Sequence, residues 1–113
     1  MVKRYVVKIG SLGVSSPTGG PDQKKIRALA QDLLELRGAG HEVVLVSSGA
    51  INSGRLSVKR PDEKHLTLAF QQACAAVGMP LLMREYQEAL TPTPCAQVLV
   101  THDDFKARPR FLN

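Results

Sequence analysis

The chain has 113 residues and a formal net charge of +5, and hydrophobic residues make up 43% of it. That length favours a single domain, and that composition excludes a chain too polar to build a core. A membrane helix needs about 20 apolar residues in succession, and no apolar run in the sequence comes near that length. The basic residues are scattered and only 4% of residues are aromatic, so we expect neither a nucleic-acid nor a membrane partner.

The amino terminus and the cysteines bear on where the protein resides. The short apolar run after Arg4 breaks at Lys8, which argues against a secretory leader. Cys74 and Cys95 have neither the spacing of a metal site nor the density of a disulfide scaffold, and each lies among apolar residues. Both are therefore interpreted as reduced, buried thiols. We expect a cytoplasmic protein.

The first half of the sequence predicts a strand, a helix and a second strand. Residues 5–10 form a β-branched and aromatic run that ends at a glycine, which is typical of a buried strand. A loop rich in Gly, Ser and Pro follows at 11–21. Apolar residues at helical spacing from Ile26 to Leu34 then predict a helix whose first turn lies at Pro21 and Asp22 and whose end lies at the glycines 38 and 40. An apolar run predicts the second strand at 41–47. Another helix is expected to begin near Gly49.

The second half predicts two helices and a third strand. The polar stretch 56–64 is interpreted as a loop, and small and apolar residues at 66–78 predict a helix that ends near its final glycine. Pro80 would open a further helix, since proline is favoured in the first turn. The run at 96–101 predicts a strand, and residues 102–113 are interpreted as a loop that enters an unfinished helix.

This alternation of strands and helices is typical of parallel βαβ units. Nearly continuous apolar strands favour a sheet that is covered by helices on both faces. The carboxyl ends of parallel strands meet at one edge, where open α/β sheets bind ligands. Topology therefore predicts that residues 10–11, 47–50 and 101–104 converge at a single edge of the sheet.

Lys8 and the residues after it carry the first candidate chemistry. Lys8 alternates onto a strand that should be buried, and a buried ammonium is costly unless an anion or a carboxylate meets it. Gly10 would let backbone N–H groups approach a phosphate closely, together with Ser11. The alternative is a lysine on an edge strand that extends its ammonium to solvent. The spacing fits neither a Walker motif nor a GxGxxG motif.

The corner after the second strand carries the other candidate site. Ser47 and Ser48 follow the strand directly, and Gly49 and Ala50 then open a helix. Hydroxyl groups and free N–H groups at a helix amino terminus bind anions or carboxylates. The alternative is an ordinary helix cap with a glycine turn.

Taken together, these segments resemble the amino acid kinase family, and within it the glutamate 5-kinase branch. The resemblance rests on Lys-x-Gly-Ser at 8–11, Ser-Ser-Gly-Ala at 47–50 and Gln-Ala-Cys-Ala-Ala-Val-Gly at 72–78. It continues with Ala-Gln-Val-Leu-Val-Thr at 96–101 and Arg-Phe-Leu-Asn at 110–113, and so covers nearly the whole chain. It implies a three-layer αβα fold with a mainly parallel sheet, of which residues 1–113 would be the amino-terminal, substrate-side part.

The resemblance also implies an activity and a set of site residues. Family members of this branch use ATP and Mg²⁺ to phosphorylate the side-chain carboxylate of glutamate in proline biosynthesis, and are commonly oligomers inhibited by proline. By analogy, Lys8 would be catalytic and contact the transferring phosphoryl group, whose oxygens the N–H groups of Gly10 and Ser11 would hold. The residues that would bind glutamate are Ser48, Gly49, Ala50 and Asn113. We therefore expect glutamate as substrate, possible inhibition by proline and a homo-oligomer.

The nucleotide-binding lobe of the family has no counterpart in these residues, so we expect the 113-residue chain alone to lack kinase activity. Two alternatives stay open: a non-catalytic module that binds a carboxylate, another anion or a partner protein, or another amino acid kinase, for acetylglutamate, aspartate or carbamate. No protein-held metal site is expected, because no pair of the three histidines has metal-ligand spacing. Asp103 and Asp104 are interpreted as a charged loop or a helix cap.

Overall fold

The structure is a computed structural model that describes residues 1–58, 67–100 and 102–106. Two strands and four α-helices are formed within these ranges. In chain order they are β1 (Arg4–Ile9), α1 (Gln23–Gly38), β2 (Glu42–Ser47), α2 (Ala50–Gly54), α3 (Leu68–Leu90) and α4 (His102–Lys106), with a short 3₁₀ turn at Ser11–Gly13 between β1 and α1.

The two strands form a parallel sheet, with Arg4 opposite Glu42 and Ile9 opposite Ser47. Helix α1 connects them, so the predicted βαβ unit and the α/β class with a parallel sheet are confirmed. Asp22 begins α1 by accepting a hydrogen bond from the Lys25 N–H at 3.2 Å, which satisfies one of the free donors of the first turn. The chain leaves α1 through Gly40, whose φ of +87° lies in the region that favours glycine.

The helices cover only one face of the sheet in the described part of the chain. Ile9 and Leu45 pack there against a core of buried side chains, namely Val14, Ile26, Leu82 and Tyr86. The opposite face stays open: Val6 is 67% exposed, and Val44 and Val46 are 46% and 47% exposed. One of the two helical layers expected around the sheet is therefore present among the described residues. We call the surface formed by Val6, Val44 and Val46 the open face.

Helix α3 corrects the prediction of two separate helices, because it runs without interruption through Pro80. A proline inside a helix removes one hydrogen bond and costs about 3 kcal/mol. Burial on both sides of it outweighs that cost: Cys74 and Gly78 lie before it, and Leu82 and Tyr86 after it. Tertiary packing here overrides the local preference for a helix start.

The predicted strand at 96–101 is not formed in the described residues, which have no regular secondary structure from 94 to 100. Val98, Leu99 and Val100 are 81%, 71% and 59% exposed. A strand needs a hydrogen-bonded neighbour, and neither β1 nor β2 pairs with this segment. The apolar run is therefore present without the pairing that would make it a strand.

The remaining predictions fall partly outside the described residues. The loop at 56–64 is described only to residue 58, and the helix expected from residue 66 begins at Leu68, with the Thr67 hydroxyl accepting from the Phe70 N–H at 3.1 Å. The short helix α4 contains an ion pair between Asp103 and Lys106 at 3.1 Å. Among the residues that the structure describes, no helix combines the length and the apolar character needed to cross a bilayer.

Candidate functional site

The carboxyl ends of β1 and β2 are joined directly. Ile9 and Ser47 are paired in the sheet, and the Ser48 N–H donates to the Ile9 carbonyl at 3.0 Å. This bond places the turn that begins at Gly10 beside the corner formed by Ser48 and Gly49. We call these two segments, residues 10–12 and 48–50, the rim. Of the third segment expected at this edge, Thr101 lies outside the described residues.

Lys8 lies next to the end of β1, opposite Val46. Its side chain alternates with Ile9 and so belongs to the open face, and the residue is exposed. Of the two possibilities that the sequence leaves open for this lysine, the side chain that extends to solvent is the one found, because no helix covers that face among the described residues. An exposed ammonium carries no burial penalty, and its relevance to an anion rests on its place beside the rim.

The turn after β1 has the features of an anion cradle. The Gly13 N–H donates to the Gly10 carbonyl at 3.0 Å, whereas the N–H groups of Gly10, Ser11 and Leu12 donate to no backbone carbonyl in the described structure. The first N–H groups of a helical turn have no carbonyl of a preceding turn to which they can donate. A Cβ on Gly10 would meet nothing within 4 Å, so a ligand can approach its backbone. These features fit the oxygens of a phosphate.

The corner after β2 depends on Gly49. Its φ is +111°, a conformation that side chains strongly disfavour, and a Cβ there would come within 2.7 Å of Val14 Cγ2. The Ser53 hydroxyl donates to the Gly49 carbonyl at 2.7 Å, and no side chain caps the N–H groups that begin α2. The backbone turns tightly here, with Gly49 buried and Ser48 beside it exposed.

Sequence reasoning missed the role of Lys25. Its ammonium donates to the carbonyls of Leu12 and Ser15, at 2.9 and 3.1 Å. These bonds tie Leu12 of the rim and Ser15 of the following loop to the first turn of α1. A lysine on the polar face of a helix gives no sequence signal for such a contact, because the loop conformation creates the two acceptors.

Lys25→Met is therefore expected to destabilise the chain by about 1–2 kcal/mol, since charge-assisted hydrogen bonds contribute in that range. Urea unfolding monitored by circular dichroism measures the difference. Lys24→Met is the matched control, because it removes the same charge from the adjacent exposed position. Equal unfolding free energies of the two variants would show that the loop does not depend on the Lys25 ammonium.

An open groove of about 390 Å³ extends from the rim between the loop and α2. Its polar lining residues are Ser11, Ser16, Asn52, Arg55 and Gln71. Asn52 connects its two walls: its Nδ2 donates to the Ser16 carbonyl at 3.3 Å, and its own carbonyl accepts from the Gly20 N–H at 2.9 Å. The groove offers hydroxyl, amide and guanidinium groups next to the turn of Gly10 and Ser11, and the sequence patterns did not predict it.

Metal-binding side chains are not gathered at the rim. Across 1–58, 67–100 and 102–106, no three His, Cys, Asp or Glu side chains are placed to hold a metal ion. His41 has a local role instead, since its Nδ1 accepts from the Lys3 N–H at 3.1 Å and its ring meets Tyr5 edge-on at 5.3 Å. Asn113, the remaining predicted glutamate ligand, lies outside the described residues.

Comparisons with known proteins show which family the chain belongs to. The model of the amino acid kinase family matches residues 3–113. Glutamate 5-kinase of Citrifermentans bemidjiense is 47% identical over 114 residues, which cover 99% of this chain and 30% of that protein. Glutamate 5-kinase of Thermus thermophilus is 45% identical, with 98% and 30% covered, and glutamate 5-kinase 1 of Bacillus subtilis is 41% identical, with 98% and 31% covered.

The chain spans about 30% of the length of the curated relatives it matches. The family match extends over nearly all residues of the chain and includes β1 and β2, the two strands that end at the rim. The chain belongs to the amino acid kinase family.

Proposed function

We propose that this chain supplies the substrate-binding rim of a glutamate 5-kinase, as the amino-terminal part of an amino acid kinase domain. The observation that carries the proposal is the hydrogen bond between the Ser48 N–H and the Ile9 carbonyl at 3.0 Å. It holds the turn of Gly10 and Ser11 beside the corner of Ser48 and Gly49. The amino acid kinase match and the glutamate 5-kinase names of the relatives support the same assignment.

The chemistry requires two anions to meet. The side-chain carboxylate of glutamate has a pKa of about 4.3, so at neutral pH it is already an ionised nucleophile and needs no general base. The barrier to be lowered is its repulsion from a polyphosphate. Oriented N–H groups and a cation lower that barrier most effectively when they are fixed before the reaction.

Each part of the rim has a proposed task. The N–H groups of Gly10 and Ser11 would hold the oxygens of the phosphoryl group, and the Lys8 ammonium would offset its charge. Ser48, Gly49 and Ala50 would bind glutamate, with Asn113 as a further ligand. When bound, ATP with Mg²⁺ supplies the phosphoryl group and part of the compensating positive charge.

The whole reaction also requires a nucleotide-binding lobe, which we place outside residues 1–113. Phosphoryl transfer depends on positioning both reactants, so a rim alone gives almost none of the rate. We expect no glutamate-dependent release of ADP from ATP by the 113-residue chain, measured in a coupled assay. ADP release that requires glutamate and disappears in Lys8→Met would contradict this expectation.

Binding of glutamate tests the proposed function independently of turnover. Calorimetric titration of the 113-residue chain is expected to show saturable binding of glutamate, and weaker or absent binding of aspartate and N-acetylglutamate. Ser48→Ala should weaken that binding, whereas Ser57→Ala, a control outside the rim, should not. Preference for N-acetylglutamate or aspartate would indicate another member of the family, and no binding of any carboxylate would reject the substrate role of the rim.

A non-catalytic carboxylate-binding module is the second candidate, favoured by the groove that contains Arg55 and Asn52. An Arg guanidinium is suited to carboxylates because its donors match the two oxygens. Such a module would bind glutamate and lose affinity in Arg55→Met. The kinase rim would instead lose affinity mainly in Ser48→Ala.

The remaining assignments are part of the proposal. The open face of Val6, Val44 and Val46 favours coverage by further polypeptide, either the rest of a longer chain or another subunit of a homo-oligomer. Two free cysteines are consistent with a cytoplasmic location. Inhibition by proline would be tested as competition with glutamate in the same calorimetric titration.

A further inference from the structure

Tyr86 of α3 is connected to the rim by two consecutive hydrogen bonds. Its hydroxyl lies 2.7 Å from Ser47 Oγ, and Ser47 Oγ donates to the Ser48 carbonyl at 2.8 Å. The path runs from the core helix to the peptide that joins Ser48 to Gly49.

The donor and the acceptor in each of these two hydrogen bonds follow from the number of hydroxyl hydrogens. A serine hydroxyl has one hydrogen, and Ser47 uses it on the Ser48 carbonyl. The Tyr86 hydroxyl must therefore donate to Ser47 Oγ. Burial raises the pKa of Tyr86, so the phenol keeps its proton at neutral pH and can act as this donor.

The Tyr86 end of the path is rigid. Tyr86 is only 2% exposed and belongs to the core cluster with Val14, Ile26 and Leu82. A ring packed in this way cannot follow movements of the exposed strand end. The bonds therefore fix the Ser48 carbonyl relative to the core, in addition to the bond that joins the Ser48 N–H to the end of β1.

Fixing the Ser48 carbonyl also orients a donor of the rim. A trans peptide is planar, so the carbonyl of one residue and the N–H of the next point in opposite directions. With the Ser48 carbonyl directed at Ser47 Oγ, the Gly49 N–H is directed away from that hydroxyl. Gly49 has little exposed surface, but its N–H donates to no backbone carbonyl within the described ranges.

We propose that Tyr86 is a positioning residue of the rim: acting through the Ser47 hydroxyl, it fixes the Ser48–Gly49 peptide so that the Gly49 N–H is presented to the substrate carboxylate. The identity of that ligand rests on the proposed function. The positioning itself is a property of the ligand-free chain and is measured without any ligand.

The test uses Tyr86→Phe, which keeps the packed ring and removes only the hydroxyl. In ¹⁵N-labelled chain, the Gly49 amide is expected to change its chemical shift and to exchange with solvent faster. Ser47→Ala should reproduce the change, and the double variant Tyr86→Phe/Ser47→Ala should add little to it. Ser47→Thr retains a hydroxyl, so its Gly49 amide should resemble that of the wild type. Tyr5→Phe is the control, since Tyr5 lies on β1 and its ring contacts His41.

With glutamate added, loss of one hydrogen bond in the path should weaken binding about 3- to 10-fold. A Gly49 amide that is unchanged in both Tyr86→Phe and Ser47→Ala would overturn the positioning role, even if both variants were less stable. If Tyr86→Phe does not fold, Ser47→Ala still breaks the path from its exposed end and decides the question. A wild-type chain that does not bind glutamate would reject the proposed function, while the Gly49 amide would still test the path.

Discussion

Gly54→Ala and Gly78→Ala are each expected to prevent stable folding of the chain. A Cβ on Gly54 would collide with the Cys74 carbonyl of α3, and one on Gly78 would collide with the Ala50 carbonyl of α2. Both obstacles are backbone atoms, which cannot move aside as a flexible side chain can. The cost of separating the two helices should exceed about 4 kcal/mol, a large part of the roughly 5–15 kcal/mol that stabilises a typical domain.

Gly38→Ala is the matched control, because it lies in the last turn of α1 and a Cβ there meets nothing within 4 Å. It should leave stability unchanged or raise it by up to about 1 kcal/mol, the usual gain from alanine over glycine in a helix. Circular dichroism during thermal unfolding compares the variants. A cooperative transition at the wild-type temperature in Gly54→Ala would contradict the close contact of α2 and α3.

Gly49→Ala is expected to have the next largest effect, a loss of about 2–4 kcal/mol of unfolding free energy. Alanine in a left-handed conformation costs about 1–2 kcal/mol, and the crowding against Val14 adds an overpacking cost of about 1–3 kcal/mol. The cost arises at the rim, so glutamate binding should be lost as well. Urea unfolding and calorimetric titration measure the two effects separately.

Gly10→Ala introduces the same methyl group on the other side of the rim. We expect it to hinder ligand binding while leaving stability almost unchanged. Its φ is −79°, which alanine adopts freely, and the new methyl group would meet nothing within 4 Å. Stability should stay within about 0.5 kcal/mol of wild type, whereas access of a phosphate to the backbone should be hindered. If both glycine variants were equally stable, the Gly49 corner would not have the strained geometry described above.

The parts of the fold that the sequence predicted are those in which pattern and packing agree. Both strands and α1 combine a clear periodicity with burial of the same residues, such as Ile26 and Leu33. Because neighbouring parallel strands end on the same side of a sheet, the parallel pairing of β1 and β2 brings Gly10 and Ser48 to one edge.

Helix α3 shows why other parts could not be predicted. Gly78 and Pro80 are locally typical of a helix end and a helix start, so the sequence pattern predicts two helices here. In the structure Gly78 lies inside the helix because its lack of a side chain lets α2 approach the backbone. The continuity of α3 therefore depends on a contact between α2 and α3, which are distant in sequence, and a local sequence pattern does not predict such a contact.

The same limit applies to the site. The apolar strand around Lys8 is compatible with either a buried or a solvent-exposed side chain, and the exposed one is found because one face of the sheet has no cover among the described residues. Lys25 and Tyr86 contact the rim region through loop carbonyls and a serine hydroxyl whose positions depend on the folded chain. Chemistry-bearing motifs can be found in a sequence, but the residues that hold them in place depend on tertiary contacts.

The measurement that bears most directly on the central claim is an amide titration of the ¹⁵N-labelled chain with pyrophosphate and then with glutamate. Since the ends of β1 and β2 are joined by a hydrogen bond, we expect pyrophosphate to shift the amides of residues 10–12 and glutamate to shift those of residues 48–50. Each ligand should also perturb the neighbouring segment. Shifts confined to the opposite end of the sheet, around Arg4 and Glu42, would contradict a shared anion-binding rim.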